Sequence, residues 1–415
     1  MQLIRTASMF AISIFLAQFC TDIQIISHYE TLFLVGTGLS FFWVSGLMTT
    51  FLPFYYDRDE SEHGTVIFSA FISLLGLAFL SALFILIVGL VFFKSMSPAL
   101  FIAYAIYIFF NSPSFIIEYI FLAKNKNKLI IIYAIIAFST QVVIFCLTIF
   151  FSGSLLLGIV SLCFYALAKF IFLLFIVGKY AVIKTDREIL GKYLHRSSPI
   201  VLSLLIGGSA DYVSGFIVRF FSTESEFAIF RYGAKEFPLT RILANSISVI
   251  LSGQIAHAIR NTSITESLGE LKRSAKRLMH LVFPLTIILL FSSKYLFRFF
   301  YTSTFEPSYE IFNILLMLVV SRTIFPQSVL IGLQRTNLVF KASVFEFFTN
   351  LILGLLFIHL FGVKGVAFAI VISYYVNTIV LMIFVKREGV KASDYSDITL
   401  WSAYSVICWL VLLLN

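Results

Sequence analysis

Between Pro199 and His257 two apolar runs stand in tandem, SPIVLSLLIGGSADYVSGFIVRFF and FAIFRYGAKEFPLTRILANSISVILSGQIAH, separated by STESE. At or inside their ends they carry Asp211, Arg219, Arg231, Lys235, Glu236 and Arg241. A charge in hydrocarbon is costly unless it faces a bundle interior or a watery cavity, so such a cluster marks a candidate site. Most of it is positive, and the chemistry it offers is the holding of an anion. Arg241, Asn245, Ser248 and Ser252 fall at i, i+4, i+7 and i+11, one polar stripe along an otherwise apolar helix, suited to water or sugar. Pro238, one turn earlier, bends or opens that helix and frees carbonyls that need polar neighbours.

Lys169 and Arg322 are further cations within apolar runs. Guanidinium groups match phosphate in bidentate fashion, and a lysine adds a point charge to the same anion. Arg241 and Arg322 are the first choices for substrate contact, then Lys235, with Arg219 in support. Arg219 and Arg231 lie near the ends of their runs, where reaching the headgroups is the competing explanation. Asp22, Glu118 and Asp211 are the carboxylates suited to counter-charge or ion coupling; Asp211 admits both a structural pairing and a proton or cation role. Gly207, Gly208 and Gly215 around it serve close helix approach.

The elements that position these residues are membrane spans. Of 415 residues 60% are hydrophobic and 12% charged, against about 25% charged in globular domains. Runs of about 20 apolar residues recur along the whole chain. They predict spans at 3–24, 31–54, 65–93, 98–123, 128–151 and 154–178, then at 198–221, 233–257, 278–301, 309–333, 338–361 and 363–386, and a last one at 398–414. About 20 of the 30 Lys and Arg fall in one alternate set of loops, counting Arg5 among them, which places the N-terminus in the cytoplasm. That asymmetry accounts for the net charge of +9 without nucleic acid.

The expected fold is an all-α polytopic membrane protein of about 12–13 spans, two six-helix bundles as pseudo-repeats around a central cavity. The N-terminal bundle covers 1–178, a basic linker 179–197, the C-terminal bundle 198–386 and an additional helix 387–415. A proline interrupts the fourth span of each set, Pro113 and Pro326, and a basic turn follows each, KNKNK and QRTN. The stretch SITESLGELKRSAKRLMH places Leu268, Leu271, Ala275 and Leu278 on one face and Lys272, Arg273, Lys276 and Arg277 elsewhere, the pattern of an interfacial helix on anionic headgroups. Cys20, Cys146, Cys163 and Cys408 sit in apolar runs without metal-ligand spacing, and no P-loop or catalytic loop motif occurs. The pattern is that of a transporter without cofactor rather than an enzyme.

The run FAIFRYGAKEFPLTRILANSIS at 227–248, with the two six-span halves and the polar linker, resembles the polysaccharide flippases of the MOP superfamily, and more closely the O-antigen (Wzx-type) flippases. Tyr232, Gly233, Lys235, Glu236 and Pro238 match the family's pattern at the start of the eighth span, whereas the thirteenth span departs from its twelve-span plan. The resemblance implies a bacterial inner-membrane protein that moves a polyprenyl-pyrophosphate-linked oligosaccharide to the outer leaflet, with glycan polymerase and chain-length machinery as partners beside the bilayer. Lys235, Arg241 and Arg219 would then hold the head group. The rival readings are a multidrug exporter of the same superfamily, which calls for an acidic cavity, and a glycan polymerase or ligase, which calls for a long external loop. The charge argument predicts that Arg241→Ala and Arg322→Ala abolish glycan export with the protein still inserted, whereas Lys272→Ala is mild; glycan export in cells carrying each variant checks it, and equal behaviour of all three refutes the assignment.

Overall fold

In the computed structural model of the chain, residues 2–20, 22–235, 255 and 264–414 are described, without the side chains of 2, 3, 210, 211 and 264. Among the described residues the chain is all helix and turn. It divides into two compact units, Met1–Ser209 and Ala210–Asn415.

The first unit holds α1 (Gln2–Phe19), α2 (Ile23–Tyr56), α3 (His63–Phe92), α4 (Pro98–Asn111), α5 (Ile116–Ala123), α6 (Asn127–Ser152), α7 (Leu155–Tyr180) and the start of α8 (Arg187–Phe221). In hydrocarbon every backbone N–H and C=O must be satisfied within the chain, which is why these apolar runs are helices and why their interruptions matter. Trp43, Phe51 and Tyr55 of α2, Phe71 and Leu74 of α3, Ile116 and Ile120 of α5, Leu173 and Val177 of α7, and Tyr193 of α8 form the core of this unit. The Tyr193 hydroxyl, fully buried, donates to the Leu47 carbonyl at 2.7 Å. The polar stretch expected as a linker is mostly helical, since α8 begins at Arg187 and only 181–186 are non-helical.

The second unit continues with α9 (Glu224–Gly233), α10 (Ile264–Tyr301), α11 (Ser308–Leu316), α12 (Leu318–Arg322), α13 (Pro326–Gly332), α14 (Thr336–Arg387), α15 (Ala392–Tyr395) and α16 (Ile398–Leu414). Among the described residues seven helices are long and apolar enough to cross a membrane, up to nine with two bent pairs counted, and α16 is a shorter apolar helix. Of these α14 is two spans, because Gly362 breaks it with φ 63° and ψ −151°.

Two expectations are corrected. The first span ends at Phe19, so Asp22 lies between helices; its exposed carboxylate caps α2 by accepting the Gln24 N–H at 2.9 Å, as a short acceptor does at a helix N-terminus. The stretch 264–280 is no separate interfacial helix, because it runs unbroken into α10. Its apolar face is buried as patterned, with Leu271 and Ala275 fully covered, but protein rather than lipid covers it. Lys272 donates to the Ser393 carbonyl at 2.8 Å, Lys276 pairs with Asp397 at 3.3 Å, and His280 meets the Tyr404 hydroxyl at 2.9 Å. The Leu400 N–H, and after it Lys276, hold the Asp397 carboxyl below the usual carboxylate range.

The repeat has a structural register. Asn125 and Gln334 both adopt positive φ, 56° and 61°, and Gly153 and Gly362 do so at 62° and 63°. Each pair is separated by the same 209 positions (125 to 334, 153 to 362). The turns match bond for bond: Lys126 N–H donates to the Phe121 carbonyl and Arg335 N–H to that of Leu330, both at 2.8 Å. Just before each turn the fourth span is broken at its proline, at Ser112–Phe115 in one unit and between α12 and α13, by 42°, in the other.

Close helix contact in the first unit depends on glycine at one seam. A Cβ on Gly89 of α3 would lie 2.3–2.8 Å from the ring of Phe101, which is 1% exposed and has nowhere to swing. Gly89→Val is therefore expected to cost about 1–3 kcal/mol through overpacking. The thermal midpoint of the purified protein checks it, with Gly76→Val, whose added Cβ meets nothing within 4 Å, staying close to wild type.

Candidate functional site

The broken fourth span of the first unit supplies the best-defined charged site. Pro113 has no N–H to give, so the helix tightens into a 3-10 turn at Ser112–Phe115 and resumes as α5. Asn111 and Glu118 flank that break. Arg5 of α1 donates from Nη2 to Glu118 Oε1 at 2.9 Å, with both side chains largely buried. The guanidinium lies 4.6 Å from the Phe115 ring centre and 5.5 Å from that of Phe138 on α6, so aromatic faces replace part of its hydration. Lys169 of α7 donates to Asn111 Oδ1 at 3.0 Å and stands 5.7 Å from the same Phe115 ring. Arg5 and Glu118 are the charges that act on Lys169. Two cations thus share one carboxylate. Arg5 Nε and the Tyr133 hydroxyl are buried there without a hydrogen-bond partner among the described residues.

Arg5 was expected in a basic loop. It lies instead within α1, because a guanidinium that finds a carboxylate and two aromatic faces can be buried. Its position in the first turn of an apolar run, with twelve or more apolar and small residues following, was the signal that it is not a loop charge. Lys169 and Glu118, both expected at the site, are brought together by it.

In the second unit the expected cations rest against different rings. Arg219, at the end of α8, faces Glu224 at 3.6 Å and the Phe227 ring at 5.6 Å. Lys235 follows α9 with its ammonium 4.3 Å from the ring of Tyr232, which is itself stacked on Tyr301 at 5.0 Å. Arg231 is half-buried in the last turn of α9. Arg322, at the end of α12 beside the break, has its guanidinium 5.8 Å from Tyr374. Arg241, Asn245 and Ser248, with Glu236 and Pro238, lie outside the described residues, as does the side chain of Asp211.

The second unit also holds a polar set not expected at the site. Asn377 Nδ2 donates to Glu346 Oε2 at 2.6 Å, and Ser214 donates to Asn350 Oδ1 at 3.0 Å. Glu346 and Asn350 are buried and lie four residues apart on one face of α14, a spacing visible in the sequence.

No family profile matches the sequence, and no curated protein matches it. Solved structures do. A structure of the lipid II flippase MurJ in an inward closed conformation matches 100% of this chain and 90% of its own, with a TM-score of 0.72 at 17% identity. An inward-facing MATE multidrug resistance transporter of the MOP superfamily matches 92% of this chain and 94% of its own, with a TM-score of 0.69 at 16% identity. The fold is that of the MOP-superfamily transporters. A further member, from Pyrococcus furiosus and described as having a binding pocket of reversed polarity, matches 93% of this chain and 92% of its own at a TM-score of 0.60 and 15% identity. The MOP fold therefore accounts for the helix order of both units.

The Arg5–Glu118 pair generates a test. Glu118→Gln keeps the shape but leaves a buried guanidinium without its counter-charge. A double-mutant cycle of Arg5→Met with Glu118→Gln, read in thermal unfolding of the purified protein, is expected to give a coupling of about 1–3 kcal/mol. A coupling near zero would show that the two side chains do not support each other.

Proposed function

We propose that the chain is a flippase that carries a polyprenyl-pyrophosphate-linked oligosaccharide, of O-antigen type, from the cytoplasmic to the outer leaflet by alternating access. The observation that carries this reading is the cluster of two cations to one carboxylate held among spanning helices, Arg5 and Lys169 with Glu118. A bilayer-embedded site with surplus positive charge favours an anionic ligand, since the ligand's charge repays the desolvation of the cations. A pyrophosphate supplies such charge, and its lipid tail need never leave the bilayer. Arg219, Arg231, Lys235, Arg241, Arg322 and Lys169 are the cations offered to the head group, with Asn245 and Ser248 offered to the sugars. Asp22, Asp211 and Glu118 are offered as counter-charges or coupling groups, and Asp22 is the weakest of them because capping α2 already occupies it.

In this reading the protein sits in a bacterial inner membrane with its N-terminus in the cytoplasm, and a glycan polymerase receives the product. The similarity to a MATE transporter gives drug export a footing in the fold. Its expected acidic lining is not what Arg5 and Lys169 provide. A polymerase or ligase has no such footing, since the matched structures are transporters.

The deciding experiment places lipid-linked glycan in the inner leaflet of vesicles containing the purified protein and follows its arrival outside. Arg5→Gln and Lys169→Gln are each expected to slow translocation about tenfold or more, the scale of one lost hydrogen bond to a charged group. If the glycan does not move, or if cationic dyes move and the glycan does not, the flippase reading fails; if the glycan moves and neither variant slows it, Arg5 and Lys169 are not its site.

A further inference from the structure

A second concentration of positive charge lies at the end of the first unit, where α5 and α7 finish and α3 and α6 begin. Lys124 stands 5.5 Å from the Tyr55 ring centre. Lys126 donates to the Tyr180 hydroxyl at 2.6 Å, and Lys179 lies 5.7 Å from the same ring. Lys126, Lys179 and Lys124 are the three charges that act on that phenol. Their positions are set by the backbone: the turn at Asn125, with its positive φ and the Lys126-to-Phe121 bond, aims the first two, and the last turn of α7 presents the third.

Four of the neighbouring carboxylates are already engaged, and Asp59 and Glu60 of the same loop make no ion pair with these lysines. Asp57 pairs with Arg196 at 2.5 Å, Glu62 with Arg58 at 3.5 Å, and Glu188 with Lys192. Asp186 accepts the N–H groups of Glu188 and Ile189 at 2.9 and 3.1 Å. Among the described residues no carboxylate lies within ion-pair distance of Lys124, Lys126 or Lys179. Like charges gathered around one phenol repel, and a shared anion relieves that repulsion.

Large apolar side chains flank these lysines and are exposed: Leu129 at 41%, Val182 at 49% and Ile183 at 74%. The non-helical segment that carries the last two is pinned against the start of α3, since a Cβ on Gly64 would fall 2.6 Å from Val182 Cγ2 and 2.9 Å from its backbone nitrogen. A soluble anion has no use for exposed isoleucine. The boundary of a bilayer does, because there apolar side chains enter the acyl region while ammonium groups reach phosphate level.

We propose that Lys124, Lys126, Lys179 and Tyr180, with Val182 and Ile183, form a binding site for the phosphate of an anionic phospholipid. The ammonium groups neutralise the headgroup, the phenol hydroxyl donates to a phosphate oxygen, and the apolar pair sets the depth. A zwitterionic headgroup brings its own cation to the lysines and binds less well. The site rests on the first unit's geometry and not on the flippase reading.

The test titrates the full-length purified protein in detergent with phosphatidylglycerol or phosphatidylcholine of the same chain length and reads bound lipid by native mass spectrometry. Phosphatidylglycerol is expected to bind in preference, and the preference to fall about fivefold for each lysine removed in the series Lys126→Gln, Lys126→Gln/Lys179→Gln and the triple variant with Lys124→Gln. Lys272→Gln/Lys276→Gln, which removes cations already engaged, is expected to keep it. An unchanged preference in the triple variant overturns the proposal, as does an equal loss for both lipids. Displacement of the lipid by inorganic phosphate alone overturns it in favour of a soluble-anion site. If the triple variant does not fold, the single Lys126→Gln change decides on the same criterion.

Discussion

The constraint on which the rest depends is that a charge taken into hydrocarbon must bring its own solvation. Arg5 shows how this is met: one carboxylate at 2.9 Å and two aromatic faces take the place of water. Those partners come from α5, the Ser112–Phe115 break and α6, so seating one guanidinium fixes how α1 lies on three other segments. The break at Pro113 is part of the same solution. A continuous helix would set Asn111 and Glu118 two turns apart on nearly one face, whereas the 3-10 turn re-aims them so that Lys169 meets one and Arg5 the other.

The internal repeat sharpens what this cluster means. Corresponding turns recur 209 positions apart, with left-handed residues at Asn125 and Gln334 and at Gly153 and Gly362. In that register Gln327 stands for Glu118 and Thr378 for Lys169. The second unit therefore keeps the backbone device, a proline-broken fourth span and a basic turn, without these charges. Scaffold demands explain what both copies share. They do not explain a cation and a carboxylate present in one copy alone.

Much of this was legible in the sequence because hydropathy and backbone punctuation are local. The described spans, the proline breaks of the two fourth helices and the turns after them follow from apolar run length and from the polar, basic residues that interrupt it, while the span expected at 233–257 lies almost wholly outside the described residues. The amphipathic pattern at 264–280 was legible too, with Leu271 and Ala275 buried as expected, yet its partner was not. A hydrophobic face declares that it will be covered; it does not say whether lipid or residues 393–404 will cover it. Asp22 carried a readable capping signal, an acceptor just before an apolar run, that its value as a membrane carboxylate obscured. Arg5 was hidden by its nearness to the chain start, and only the fold brings Glu118 to it across more than a hundred residues.

The two units also differ in the partners they give to Glu118 and Glu346. Glu118 receives a guanidinium, and Glu346 receives the amide of Asn377 at 2.6 Å. An ion pair cancels the field of its carboxylate at a distance, so beside Arg5 the surplus left over is the ammonium of Lys169. An amide lends a hydrogen bond but no charge, so the Asn377 contact leaves the Glu346 charge for other groups to balance. One backbone plan can in this way hold differently partnered carboxylates in its two copies, using side chains that ask nothing of the backbone. Helix order is shared with solved transporters at 16–17% identity, which constrains the backbone and not these partners.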